Sequence, residues 1–331
     1  MQIGGVTIDI SKVEMIVKVF VIREVDMKRI GFYLIMLIGM MLCWGCGDHK
    51  ITESTETEAG LSEYRMAQLD MTQICGFGKV QDEYVCIGEA ENGGYIRLTG
   101  EKPDGDFRQE ELKLDSVMDE TDMITAADMD EAGSMYLAVS RMDDKRDITG
   151  RIVKVMPDDT VQILADHIEE NVKNIRLTAD GYIIGCADGV IQCFSMEGQK
   201  KYEIENSDYT DICVAGDKLV VLTARDIETY DISDGHMLET ITSFDDTLTE
   251  GLEDAASEKG KDALSCSNIM KYDEKSDQIY IMLGTGLFAY KLSDKLGTRL
   301  TTFKSADIRY DFVVEDSDTF VAVTGDKSGN K

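Results

Sequence analysis

The residues able to do chemistry are few and dispersed. The histidines are His49, His167 and His236. No Gly-x-Ser-x-Gly elbow is present to expose a serine nucleophile, and no histidine stands in a nucleophile context. Asp128-Met129-Asp130-Glu131-Ala132-Gly133 copies the start of a calcium loop. That chemistry needs an oxygen ligand at the fifth position and a distal bidentate Glu. Ala132 holds the fifth position and the distal Glu is missing, so the run reads as a turn. Gly284-Thr285-Gly286 copies part of a dinucleotide fingerprint, without the strand-then-helix context that brings a pyrophosphate to a helix N-terminus. Cysteines lie at 43, 46, 75, 86, 186, 193, 213 and 266. Only Cys43 and Cys46 have Cys-x-x-Cys spacing, and no second pair completes a zinc set. Cys186 and Cys193 share one face of a hairpin but are offset diagonally, which is poor disulfide geometry. The expectation is no catalytic residue, no cofactor and no metal.

One cysteine stands apart. Met27-Lys28-Arg29 precedes fifteen uncharged residues, Ile30 to Trp44, and then Gly45-Cys46. A basic start, a short apolar run and a small residue before the cut is the pattern of a secretory signal. The run is shorter than the roughly 20 residues a spanning helix needs. Its Gly-Cys ending resembles the lipobox of bacterial lipoproteins, with Trp44 and Cys43 in place of the usual small residue and leucine. That resemblance implies cleavage after Gly45, acylation of Cys46, membrane lipid as a partner through Cys46, and a place on the extracytoplasmic face of the cell membrane. Residues 1–26 fit neither signal nor fold. Arg23-Glu24-Val25-Asp26 can be encoded by a purine-rich sequence resembling a ribosome-binding site, so translation is expected to start at Met27. The polar, acidic run from Thr52 to Gly60 reads as a disordered tether. The organisation expected is 1–26 as an extension, 27–45 as signal, 46–61 as tether and 62–331 as the folded domain.

The elements that would position any site are short strands. Asn174 to Ile204 reads as four of them, separated by turns at Asp180-Gly181, Asp188-Gly189 and Glu197-Gly198. Asp-Gly between β-rich runs is a strong hairpin signal. A meander of about 30 residues cannot bury both faces alone, so copies must stack beside it. Copies are readable at Ile74–Leu114, Asp122–Asp166, Tyr209–Ile241 and Asn268–Phe303, with an incomplete one at Asp307–Thr324. The turns before the second strands fall near 82, 132, 181, 216, 276 and 317, spaced 50, 49, 35, 60 and 41 residues apart. Those spacings bracket the repeat of a propeller blade. An acidic insertion at 244–265 accounts for the longest. The fold class expected is all-β, a β-propeller of about six four-stranded blades. Tyr64 to Met71 is the spare β-leaning run available to complete the last blade.

Two blades carry further texture. Asp188-Gly189-Val190-Ile191-Gln192-Cys193-Phe194 to Gly198-Gln199-Lys200 resembles the blade of quinoprotein-like propellers, and Ile227 to Gly235 is similar. The docking tryptophans of that family are absent, since the only Trp is Trp44, so quinone binding does not carry over. A layout of lipoprotein signal, tether and propeller is also similar to propeller-fronted solute-binding lipoproteins, which implies ABC transporter components as possible partners. The net charge of −30 disfavours nucleic acid, which needs a basic footprint. The function expected is non-catalytic binding of a protein or glycan through loops on one face of the ring. The alternatives are part of an importer's solute-binding lipoprotein, or an enzyme with an acidic site in the central channel.

Overall fold

The structure is a computed structural model. It describes residues 15–22, 61–69, 71–103, 105–142, 148–223, 226–241, 269–283, 286–294, 296–302, 307–316 and 319–326. These contain 24 β-strands in six four-stranded antiparallel sheets. Blade 1 is β3 (Gln73–Val80), β4 (Glu83–Glu89), β5 (Tyr95–Gly100) and β6 (Arg108–Glu111). Blade 2 is β7 (Met123–Met129), β8 (Met135–Met142), β9 (Ile148–Val155) and β10 (Val161–Ile168). Blade 3 is β11 (Val172–Thr178), β12 (Gly181–Cys186), β13 (Val190–Ser195) and β14 (Lys200–Glu205). Blade 4 is β15 (Tyr209–Ala215), β16 (Lys218–Thr223), β17 (Ile227–Asp231) and β18 (Met237–Ile241). Blade 5 is β19 (Ile269–Asp273), β20 (Gln278–Leu283), β21 (Gly286–Lys291) and β22 (Leu296–Thr302). Blade 6 joins the two ends of the chain: β23 (Asp307–Asp316), β24 (Thr319–Asp326), β1 (Met15–Ile22) and β2 (Leu61–Leu69). The first strands β3, β7, β11, β15, β19 and β23 touch in a closed cycle, so the sheets form a six-bladed propeller.

The blade boundaries follow the turn chemistry. Gly189 and Gly198 have φ of 96° and 81°, the left-handed region that favours glycine in tight hairpins. Gly181 is needed for a different reason: a Cβ there would run into the Phe194 carbonyl on the next strand. Second strands are buried on both faces, as β12 is throughout. Tyr182 and Ile184 enter the cluster with blade 2, while Ile183 enters the cluster with blade 4. Six apolar clusters result, one between each pair of neighbouring blades.

Blade 6 departs from the sequence reading in two ways. Its outer strand is Leu61–Leu69, which only overlaps the expected Tyr64–Met71. It also takes in Met15–Ile22, from the 1–26 stretch expected to lie outside the fold, because β24 needs a partner along its outer edge. The stretch from Leu61 to Leu69 is its outer strand, and β1 lies between it and β24. Met15 to Val21 pair with Gly325 to Thr319 in unbroken antiparallel register. Phe320, Val321, Ala322 and Val323 of β24 are fully buried. Phe320 meets the Tyr280 ring of blade 5 edge-on, centroids 4.9 Å apart. Replacing Phe320 with Ala should therefore lower stability by about 3–5 kcal/mol. A urea unfolding midpoint unchanged by the substitution would contradict the packing of blade 6 on blade 5.

Candidate functional site

The first strand of each blade turns one edge to the channel, where it has no further strand to pair with. Side chains bridge every junction instead. The N–H groups of Phe77, Leu177 and Met270 donate to Asp311, Asp128 and Asp211, at 3.0, 2.9 and 2.6 Å. The three acceptors lie on blades 6, 2 and 4, and each takes the N–H of the following blade. Cations hold two of the remaining junctions. Arg176 of blade 3 reaches Asp211 at 3.1 Å and the Ile212 carbonyl at 3.0 Å, with Asn174 beside it at 2.7 Å. Lys271 of blade 5 lies 3.0 Å from Asp311. Between blades 1 and 2, the Cys75 thiol and the Gln73 amide donate to the Ile124 carbonyl.

Electrostatics in this ring are those of matched charges in a dry place. Burial pushes the Asp211 carboxyl up, against the pull of Arg176 and the Met270 and Ile212 N–H groups. Burial disfavours the Arg176 cation, but Asp211, Asp128 and Asp311 together outweigh it and hold the guanidinium charged. The carboxylates are thus committed to neighbouring blades.

A concave site lies elsewhere, at the end of the blades where β5 begins and β6 ends. It is a groove of about 600 Å³ between the turn at Gly93-Gly94 and the connection 112–122. Tyr95, Leu112, Leu114 and Met118 give it apolar surface, and Glu111, Asp115, Asp119 and Glu120 ring it with carboxylates. The connection is braced from behind. Arg141 of β8 binds Asp122 through two nitrogens at 2.7 and 2.8 Å, and Asp119 at 2.6 Å. Arg151 of β9 donates to the Val117 carbonyl at 2.6 Å. The Ile124 N–H donates to the Tyr95 hydroxyl at 2.9 Å, which fixes the aromatic wall. Met123, half exposed, lies beside Asp122. A second cavity, of about 560 Å³, opens at the same end of blades 2 and 3. Asp166, Glu169, Glu170 and Asp188 line it.

The residues singled out from sequence fall as follows. Gly45, Cys46 and His49 lie outside the described residues. The calcium-like run is the β7–β8 turn: Asp130 accepts the Ser134 N–H at 2.7 Å, and Asp128 belongs to the channel ring. His167 is exposed at the end of β10. His236 lies in the β17–β18 turn, 2.6 Å from Asp234, whose carboxylate raises the imidazole pKa. Cys75, Cys86, Cys186, Cys193 and Cys213 are buried and unbridged. Neither the channel ring nor the groove is anticipated by motif. A lone acid inside an apolar first strand, as in Asp211-Ile212-Cys213-Val214 or Asp311-Phe312-Val313-Val314, is the signal that finds the ring.

No protein-family model and no curated protein matches the chain. Solved structures do. They include YCF48 bound to D1 peptide, at 12% identity over 81% of this chain and 82% of that one, TM-score 0.49. The Neurospora crassa Pan2 WD40 domain is 9% identical over 82% and 79%, TM-score 0.48. Apo AztD from Citrobacter koseri is 12% identical, TM-score 0.39; the match covers 55% of this chain and about half, 52%, of AztD. These likenesses concern the fold alone.

The Arg141 brace makes a pH-dependent prediction. Hydrogen bonding from Arg141 holds the buried Asp122 carboxyl below its ordinary value, against the effect of burial. A depressed carboxyl stabilises the fold above the unfolded value near 3.9, and that stability is lost as the pH falls through the folded value. Arg141→Met should destabilise by about 1–2 kcal/mol at pH 7, discounted because the arginine is a third exposed. The gap from the parent should close as the pH drops below about 4. Denaturant titrations at pH 7 and pH 3 check this; a gap independent of pH would leave only packing to explain the brace.

Proposed function

We propose that this chain is an exported, lipid-anchored propeller that works by binding, and that its ligand is a protein segment carrying basic and apolar residues. The groove between Gly93-Gly94 and 112–122 carries the proposal. Its partly exposed Tyr95 and Met118 offer apolar contact, and its exposed carboxylates Asp115 and Glu120 attract cations. A protein segment suits such a lining because its apolar side chains can meet Tyr95 and Met118 while its cations meet the carboxylates around them. The commitment of Asp128, Asp211 and Asp311 to inter-blade hydrogen bonds supports binding over channel catalysis. Electrostatic complementarity would act mainly on approach and selectivity, and would weaken with salt.

Two measurements test the reading. Changing Cys46 to Ser should move the protein from the detergent phase to the aqueous phase; a variant as membrane-bound as the parent would refute the anchor. For the groove, the probe is a labelled twelve-residue peptide of alternating lysine and leucine. Asp115→Lys with Glu120→Lys should weaken its binding at least tenfold. Glu131→Lys with Glu274→Lys, on turns at the other end of the blades, should leave it nearly unchanged. Equal losses in both pairs would mean that net charge alone, and no groove, attracts the peptide.

A further inference from the structure

Blade 6 differs from the others in how its third position is filled. In blades 1 to 5 the third strand begins within a few residues of the end of the second. In blade 6 it is β1, drawn from the far end of the chain and joined to β2 by residues 23–60. Those residues contain the Gly45-Cys46 pair. Cutting there would separate β1 from everything it pairs with.

Third positions demand apolar strands. They lie between two other strands of their own sheet, and neighbouring blades cover both faces; β21 is buried along all but its last residue, and β13 has no exposed residue. The sequence of β1, Met-Ile-Val-Lys-Val-Phe-Val-Ile, meets that demand with one charge in eight residues. β2, Leu-Ser-Glu-Tyr-Arg-Met-Ala-Gln-Leu, does not. Moved inward, it would place Glu63 and Arg65 on one face and Ser62 and Gln68 on the other. Burying unpaired charges is far costlier than leaving them at an outer strand. β2 is also held in place, with Leu69 and the nearby Met71 buried between blades 6 and 1. It therefore cannot substitute for β1. With β1 gone, β24 would keep buried side chains but present an unpaired backbone edge from Thr319 to Gly325, and such an edge templates the addition of a strand.

We propose that the outer edge of β24 is a strand-accepting site, filled here by Met15–Ile22 and open, once the chain is cut between Gly45 and Cys46, to an extended apolar segment of another polypeptide. The segment would run antiparallel to β24 for about seven residues, in the register of Met15–Val21. β2 would close over it as the outer strand. The inference rests on the export reading only for how the slot is vacated in a cell; the acceptor edge itself rests on the topology.

The test uses the full chain, with a protease recognition sequence inserted between residues 45 and 46. After folding, the chain is nicked and offered a labelled peptide of residues 13–24. The nicked chain should take up one peptide in exchange for its own segment, and the un-nicked chain should not. A Val19→Pro peptide should bind at least tenfold more weakly, because proline removes a ladder N–H from a central strand. A second variant guards against simple unfolding. Val17 and Val323 are directly opposed in register, so both are changed to Cys in the nickable chain. The oxidised form should exclude the peptide, and reduction should admit it. Uptake by un-nicked chain, equal binding of the proline peptide, or nicked chain that peptide neither binds nor restores would overturn the proposal. Because the protease is added in vitro, the result does not depend on processing at Gly45. A Cys46→Ser variant that stays in the detergent phase would remove the anchor and leave the acceptor site standing.

Discussion

The fold depends on satisfying the inward edges of six sheets around one channel. A sheet edge leaves alternate N–H and C=O groups without partners, and a buried group left so costs about 1–3 kcal/mol. Here three aspartates on alternate blades take an N–H from the next blade, and Arg176 and Lys271 pin two of those aspartates from the other side. The same bonds that satisfy the edges fix the rotation of each blade against its neighbour. Apolar contact between blades is non-directional and could not set that angle alone.

Distance from the channel then sorts residue types. First strands mix apolar residues with these polar links. Second strands are almost wholly apolar, because both faces pack against neighbouring blades; β16 and β20 are buried along all but their first residue. Outer strands such as β14, Lys-Lys-Tyr-Glu-Ile-Glu, are charged where they meet water. Charge on an edge strand also discourages pairing between molecules. β1 and β2 obey the same sorting although they come from the opposite end of the chain. Blade 6 is thus held to the composition of the other five without sharing their connectivity.

That sorting explains what was legible in the sequence. The Asn174–Ile204 unit maps onto β11 to β14 because its turns carry Gly189 and Gly198, whose backbone angles few other residues adopt. Blades 1, 2, 4 and 5 follow by analogy, and the run expected at Tyr64–Met71 overlaps the outer strand Leu61–Leu69 of the last blade. The strand at Met15–Ile22 was not legible. Its pairing partner lies about three hundred residues away, and the apolar run beginning at Ile30 draws attention to export instead. Periodicity describes a strand's own faces and carries no information about which distant edge receives it. The groove was illegible for a similar reason: Tyr95 and Leu114 become neighbours only after β6 returns the chain to the start of β5.

The carboxylates divide into those matched by cations and those left facing water. Inside the ring, Asp211 and Asp311 face Arg176 and Lys271, so the channel contributes little to the net charge. Behind the groove, Asp122 and Asp119 are likewise matched by Arg141. Asp115 and Glu120 are exposed on that braced connection, the first ahead of Asp119 and the second between Asp119 and Asp122. The second cavity repeats the pattern, with Glu169, Glu170 and Asp188 around Cys186 and Phe194. Carboxylates thus border the concave apolar surfaces at the groove end of the blades, while acidic turns such as those at Glu131, Asp158 and Glu274 line the other. What sets the groove end apart is therefore the apolar surface beside its carboxylates, since exposed acids alone occur at both ends. Charge attraction falls off with salt and distance, whereas apolar contact acts only where shapes meet, so the second of the two features is the one that can discriminate between the ends.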